Sequence, residues 1–127
     1  MPQTSHPGRQ ISYSITDAEP GGGPGKAPVI LIPGLGSGRR LFGTLHRRFA
    51  KMGHPCLVYD PVGIPPSDPH SGTYDLSLAG QDVWALADAA GWDQVHLVGT
   101  SLGGKVALCA AYQAQQRTHK LVMLASS

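Results

Sequence analysis

The chain has 127 residues, enough for one domain with a buried core. Hydrophobic residues make up 41% of it, charged residues 14%, and the formal net charge is +2, which excludes a disordered chain and a coiled coil. The sequence holds neither a run of 18 apolar residues nor a signal-peptide pattern, so we expect a cytoplasmic protein without a membrane span.

Charge is distributed unevenly along the chain. All charged residues between positions 20 and 59 are Lys or Arg, whereas all those between 60 and 93 are Asp. The basic segment has no nucleic-acid-binding motif beside it, so we interpret its charges as solvated helix faces and expect no nucleic-acid partner. The two cysteines, Cys56 and Cys109, fall in apolar runs and are expected to be buried, reduced thiols.

The first half of the chain predicts two strands and a helix. Residues 1–9 have no periodic pattern and are expected to form a flexible tail, after which 10–18 alternates apolar and polar residues like a half-buried strand. The apolar, β-branched run at 28–32 predicts a strand covered on both faces. A glycine turn follows at 33–38, and apolar residues then recur at helical spacing over 41–52.

The second half continues the alternation of strands and helices. Asp75 is a predicted N-cap and Gly91 a predicted C-terminal glycine for the helix between them. The loop at 61–74 holds four prolines and two glycines and cannot be regular structure. The remaining predicted elements are strands at 56–60, 94–99 and 120–125 and a helix at 102–113.

This alternation predicts an α/β fold for residues 10–127, with a mostly parallel sheet of about five strands and helices on both faces. Ligands in such sheets bind beyond the carboxyl ends of the strands. The glycine turn at 33–38, the loop at 60–74 and the turn at 99–103 all emerge at that edge.

The turn at 99–103 reads Gly-Thr-Ser-Leu-Gly, a G-x-S-x-G motif between a predicted strand and a predicted helix. A sharp turn of this kind exposes the serine hydroxyl and needs small residues at both flanking positions, here Gly99 and Gly103. The amide of Leu102, at the helix N-terminus, would then point at a developing oxyanion. Such a site also needs a donor from a neighbouring loop, which the Leu35 amide can provide. The alternative is a structural turn whose serine only caps the helix.

A second interpretation of the same stretch is a phosphate-binding loop, since Gly99 is followed after four residues by Gly104 and Lys105. That loop needs Ser or Thr after its lysine to hold Mg²⁺, and Val106 stands there instead. We therefore expect no nucleotide, metal or other cofactor.

The chain resembles the first half of the α/β-hydrolase superfamily, in its serine-nucleophile branch, over residues 10–127. The stretches that carry the resemblance are "PVILIPGLGSG", "LVYDPVGIPPSD", "YDLSLAGQDVWALADAAGWDQVHLVGTSLGGKVALCAA" and "KLVMLASS". The resemblance implies a spatial strand order of 11–17, 56–60, 28–32, 96–99 and 120–125. It also implies that the 39–52 helix covers one face of the sheet and the 75–90 helix the other.

The resemblance also implies the roles of individual residues. Ser101 would be the nucleophile that forms an acyl-enzyme with a carboxylic ester, lactone or similar small acyl substrate, and the Leu35 and Leu102 amides would form the oxyanion hole. The motif glycines are Gly34, Gly36, Gly99 and Gly103. The sequence departs from the family at Pro33, where His is frequent, and at Val62, where Arg is usual.

The sequence contains no evident proton acceptor for Ser101. In this family the acid and the histidine follow the serine. His96 precedes Ser101 by five strand residues, roughly 16 Å, and only His70 falls in a loop at the carboxyl edge. We therefore expect a truncated hydrolase that is inactive or very weak alone, with a non-catalytic ligand-binding member as the alternative. Without its neighbouring strand, the edge of 120–125 would favour self-association.

Overall fold

A computed structural model of the chain describes residues 3–5, 10–20, 25–34, 37–65, 67 and 75–124. Their strands are β1 (Gln3–Ser5), β2 (Gln10–Thr16), β3 (Val29–Ile32), β4 (Cys56–Asp60), β5 (Val95–Thr100) and β6 (Thr118–Leu124). The helices are α1 (Leu45–Lys51), α2 (Leu76–Ala90) and α3 (Leu102–Gln113), and short 3-10 turns span Arg39–Phe42 and Gln115–Arg117.

The strands form a single sheet in the order β1-β2-β4-β3-β5-β6. The four strands β4, β3, β5 and β6 are parallel, and β2 joins β4 antiparallel. The predicted fold class and the order of the five predicted strands are therefore confirmed. Parallel neighbours align their carboxyl ends, so the turn after β3 and the turn after β5 lie side by side.

Two elements differ from the prediction. Residues 3–5 were expected in a flexible tail but form β1, which pairs antiparallel with β2 and raises the strand count to six. Its polar Gln-Thr-Ser sequence carries no alternation that could have marked it. The helix predicted over 41–52 is divided into a 3-10 turn and α1, because Gly43 adopts a positive φ of 56° between them.

The two faces of the sheet are covered by different helices, as expected. On one face Phe42, Leu45 and Phe49 pack on a cluster that includes Val29 and Leu31. On the other face α2 and α3 pack over a larger cluster that includes Ile30 and Ile32. Successive residues of β3 thus point to opposite faces, and all four are buried, as an interior parallel strand requires.

Local contacts fix α2 and α3 against the sheet. The Asp75 side chain caps α2 by accepting a hydrogen bond from the Leu78 amide at 2.9 Å, and Gly91 ends the helix in the left-handed region, both as predicted. The Trp84 indole donates to the Ala110 carbonyl at 2.8 Å and ties α2 to α3. Among the residues described, no helix has the length and apolar character needed to cross a membrane.

Candidate active site

Ser101 lies in the sharp turn that joins β5 to α3. Its φ of 55° and ψ of −128° make it the one non-glycine residue of the described chain with a positive φ. Its amide donates to the Leu124 carbonyl of β6 at 2.9 Å, and its carbonyl accepts from the Gly104 amide at 3.0 Å. A serine in this region of φ costs about 1–3 kcal/mol, so the surrounding structure must hold it there. The residue is exposed, as a nucleophile must be.

Close backbone approaches explain the two glycines of the motif. A Cβ on Gly99 would lie 2.2 Å from the Gly103 carbonyl oxygen, and one on Gly103 would lie 2.2 Å from the Ile32 carbonyl oxygen. Real Cβ atoms do not approach oxygen so closely, since ordinary contacts begin at about 3.3 Å. A side chain at either position would therefore push α3 away from the strand ends.

The glycine turn after β3 faces the N-terminus of α3. A Cβ on Gly34 would lie 3.7 Å from the Leu102 nitrogen and 3.8 Å from the Gly103 nitrogen, which are ordinary contact distances. The first amides of a helix have no acceptor within the helix and are available to an anionic group. The other two positions assigned in this turn, Leu35 and Gly36, lie outside the described residues.

An ion pair that the sequence did not predict lies at the C-terminal end of the glycine turn. The Asp60 carboxylate, at the carboxyl end of β4, accepts from the Arg39 amide at 2.9 Å and from its Nε at 3.0 Å. The guanidinium also donates to Ser12 and Ser14 of β2 at 2.8 and 3.2 Å. The sequence signal was an acidic residue ending an apolar strand, but nothing local points to a partner 21 positions earlier.

Three histidines gather at the opposite, amino-terminal edge of the sheet. The ring centroids of His54 and His96 are 5.5 Å apart, and those of His96 and His119 are 4.8 Å apart. Burial, then the neighbouring His119, His54 and Lys120, lower the pKa of His96. None of these rings reaches Ser101, because His96 is near the start of β5 and Ser101 follows the end of that strand. His6 and His70 lie outside the described residues.

The structure argues against a phosphate-binding loop. Gly104 and Lys105 lie inside α3, which begins at Leu102, so no extended loop separates them from Gly99. Val106 is buried and Lys105 is exposed. Within the described parts of the chain, no group of three or more His, Cys, Asp or Glu side chains could hold a metal ion.

Comparisons with known proteins agree with this geometry. The chain is 29% identical over 107 residues to a proline iminopeptidase of Lactobacillus delbrueckii subsp. lactis, covering 80% of the chain and 36% of the relative. It is 31% identical over 106 residues to a 2-hydroxy-6-oxononadienedioate/2-hydroxy-6-oxononatrienedioate hydrolase of Paraburkholderia phymatum, covering 80% and 37%. The chain thus spans little more than a third of the curated relatives.

Solved structures give the same relation. The crystal structure of a hydrolase from Pseudomonas aeruginosa PA01 superposes with a TM-score of 0.87 at 27% identity, covering 99% of this chain and 46% of that one. The family model described as the alpha/beta hydrolase fold matches residues 27–127, which include the glycine turn, the ion pair and the serine turn. With most of its length matched, the chain belongs to the α/β hydrolase family.

Proposed function

We propose that Ser101 is the nucleophile of a serine hydrolase that forms an acyl-enzyme with carboxylic ester, lactone or similar small acyl substrates. The observation that carries the proposal is the backbone of Ser101, a non-glycine residue at a φ of 55° between a strand and a helix. Strain of this kind persists where the surroundings over-determine it, and it concentrates at catalytic positions. A turn that only capped a helix would not need it, and the Ser101 side chain makes no cap hydrogen bond to α3.

The proposed oxyanion hole uses the Leu102 amide and the Leu35 amide. Attack of the serine oxygen on an acyl carbon places negative charge on the carbonyl oxygen, which two backbone donors stabilise. The twelve-residue α3 begins at Leu102, so its first amides and its dipole favour an anion there. The contact distance of 3.7 Å between a Cβ on Gly34 and the Leu102 nitrogen supports a donor from the same turn.

The proton acceptor is proposed to lie in polypeptide beyond this chain. A serine hydroxyl needs a base within hydrogen-bond reach, and the three histidines described at the amino edge are a strand length away. His70 would be the candidate within the chain.

The two curated relatives bear names with different substrates, a peptidase and a dienedioate hydrolase, so no substrate is carried over from either.

A fluorophosphonate probe tests the nucleophile directly, because it forms a covalent adduct with an activated serine. We expect peptide mapping to find an adduct on Ser101 that forms slowly, because the base is absent from this chain, and that is lost in Ser101→Ala. Ser77, an exposed serine on α2, is the matched internal control for indiscriminate reaction. Equal labelling of Ser101 and Ser77 in a folded sample would contradict the proposal, whereas a folded sample with no adduct would favour a ligand-binding role or an incomplete site.

Turnover tests the missing base separately. We expect the 127-residue chain to hydrolyse a p-nitrophenyl ester only slightly faster than buffer, since a site without its triad partners retains only residual catalysis. Ordinary enzyme rates that disappear in Ser101→Ala would show that a base is present in the chain. His70→Gln would then identify it or exclude it.

We also propose that the chain self-associates through β6. This strand ends the sheet, and its apolar side chains are exposed on both faces, with Val122 at 42%, Met123 at 40% and Leu124 at 46%. An apolar edge strand is a template for pairing with another chain. Sedimentation should detect dimers or larger species that Val122→Lys reduces, and a wild type that stays monomeric at high concentration would refute the idea.

A further inference from the structure

The Arg39 side chain makes several hydrogen bonds at the end of the glycine turn. Its Nε donates to Asp60 at 3.0 Å, and its two terminal nitrogens donate to Ser14 at 3.2 Å and Ser12 at 2.8 Å. The Arg39 and Asp60 side chains are only 15% and 11% exposed, so water competes weakly for these bonds. Charge-assisted hydrogen bonds of this kind are about twice as strong as neutral ones.

The same carboxylate holds the backbone of the glycine turn. The second oxygen of Asp60 accepts from the Arg39 amide at 2.9 Å, so one carboxylate fixes both the side chain and the main chain of Arg39. Gly38 packs against it so closely that a Cβ there would lie 2.5 Å from Asp60 Oδ1. The φ of Gly38 is −106°, so its backbone is unstrained, and a side chain at this position would have to displace the Asp60 carboxylate from the Arg39 amide.

A short chain of contacts leads from this ion pair to the nucleophile turn. The Ser37 amide donates to the Gly34 carbonyl at 2.9 Å and closes the glycine turn. Gly34 in turn lies close enough to α3 that a Cβ there would come within 3.7 Å of the nitrogen of Leu102, the first helical residue after Ser101. The Arg39–Asp60 pair therefore anchors one end of a turn whose other end abuts the proposed oxyanion donor.

We propose that Arg39, held by Asp60, is a positioning residue that sets the glycine turn against the Ser101 turn. Position 62, where arginine is usual in the family that the chain resembles, holds a buried valine. The guanidinium that pairs with Asp60 comes instead from Arg39, in a different segment of the chain. The inference rests on the proposed function, because the placement of the turn matters for catalysis only if Ser101 reacts. The ion pair itself is independent of that.

The test compares Arg39→Met with Arg40→Met in the full 127-residue chain. Arg40 neighbours Arg39 on the same 3-10 turn and is exposed, so it is the matched control. Amide hydrogen exchange is measured at Ser37, whose amide is hydrogen-bonded within the turn, with Leu97 of β5 as the core reference. Fluorophosphonate labelling of Ser101 is measured in parallel at several probe concentrations. The dependence of the rate on concentration gives the maximal labelling rate and the half-saturating probe concentration separately.

We expect Arg39→Met to accelerate exchange at Ser37 about tenfold or more while Leu97 is unchanged, since a charge-assisted bond is lost locally. The maximal labelling rate should fall about tenfold to a hundredfold at constant half-saturation, because small misplacements of a reacting site are costly. Arg40→Met should alter neither. If Arg39→Met fails to fold, Arg39→Lys keeps the charge, loses the forked geometry and should show the same changes to a smaller degree.

Other outcomes overturn the inference. Unchanged exchange at Ser37 would mean that Arg39 does not hold the turn. Equal acceleration at Leu97 would mean a general loss of stability, and a loosened turn with unaltered labelling would mean that its position does not matter to Ser101. A wild type in which Ser101 and Ser77 are labelled equally refutes the proposed function instead, and with it the role of Arg39 in positioning Ser101, while exchange still reports whether the ion pair orders the turn.

Discussion

Replacing Gly103 by alanine has two opposite effects on the free energy of unfolding, and the structure shows which is larger. Gly103 lies in the first turn of α3, where helix propensity alone predicts a gain of about 1 kcal/mol for alanine. The added Cβ, however, would lie 2.2 Å from the Ile32 carbonyl oxygen and 2.7 Å from that of Pro33. Both atoms belong to the backbone at the end of β3, so neither can rotate away.

The contact must open by about 1 Å before it becomes an ordinary one. Overpacking of a rigid site costs about 1–3 kcal/mol and occasionally more, and we take the upper end because both obstacles are main-chain atoms. After the helix-propensity gain is subtracted from this cost, the net loss in the free energy of unfolding is about 2 kcal/mol. For a chain of this size that lowers the melting temperature by roughly 6–10 °C.

Urea unfolding followed by circular dichroism measures this loss. Gly34→Ala is the matched control, because its Cβ would meet the same interface from the opposite side at 3.7 Å or more. We expect Gly34→Ala to stay within about 1 kcal/mol of the wild type. A Gly103→Ala protein as stable as the wild type, or more stable, would refute the argument that close approach and not helix formation decides this position.

Three further predictions address other parts of the chain. Asp75→Ala should cost about 1 kcal/mol in urea unfolding, because the Leu78 amide loses its cap. Burial raises the pKa of Cys56 to about 12, so iodoacetamide at pH 8 should alkylate the half-buried Cys109 first and reach Cys56 only in urea, as mass spectrometry can resolve. Burial and neighbouring positive groups lower the pKa of His96, so the unfolded chain binds its proton more readily. Stability should therefore fall as the pH drops through about 6.5, less so in His96→Gln, in urea unfolding titrated over pH.

The parts of the fold predicted from sequence are those with local causes. The strand β5 and the helix α3 follow from an apolar run, a glycine-flanked serine and helical spacing, and their observed bounds differ from the prediction by one residue at most. The parts that were missed depend on distant partners. The polar strand β1 exists through pairing with β2, and β6 begins at Thr118, two residues before the predicted start, because Thr118 pairs with Val95 of β5.

The same distinction applies to the candidate site. The serine turn could be predicted because its sequence signal is local, with a glycine two positions to either side of Ser101. The ion pair between Arg39 and Asp60 joins two loops through side-chain geometry, for which a single sequence offers only two charges of opposite sign. Sequence reasoning thus finds the proposed nucleophile more readily than the residues proposed to position it.

The direction of the parallel strands limits where a base for Ser101 can come from. Every parallel strand presents its carboxyl end at the serine edge, whereas His54, His96 and His119 gather at the other edge. The five positions from His96 to Ser101 span roughly 16 Å, against the roughly 3 Å that proton transfer requires. A functional base must therefore lie in a loop at the carboxyl edge of the sheet. At this edge the Leu124 carbonyl of β6 accepts a hydrogen bond from the Ser101 amide.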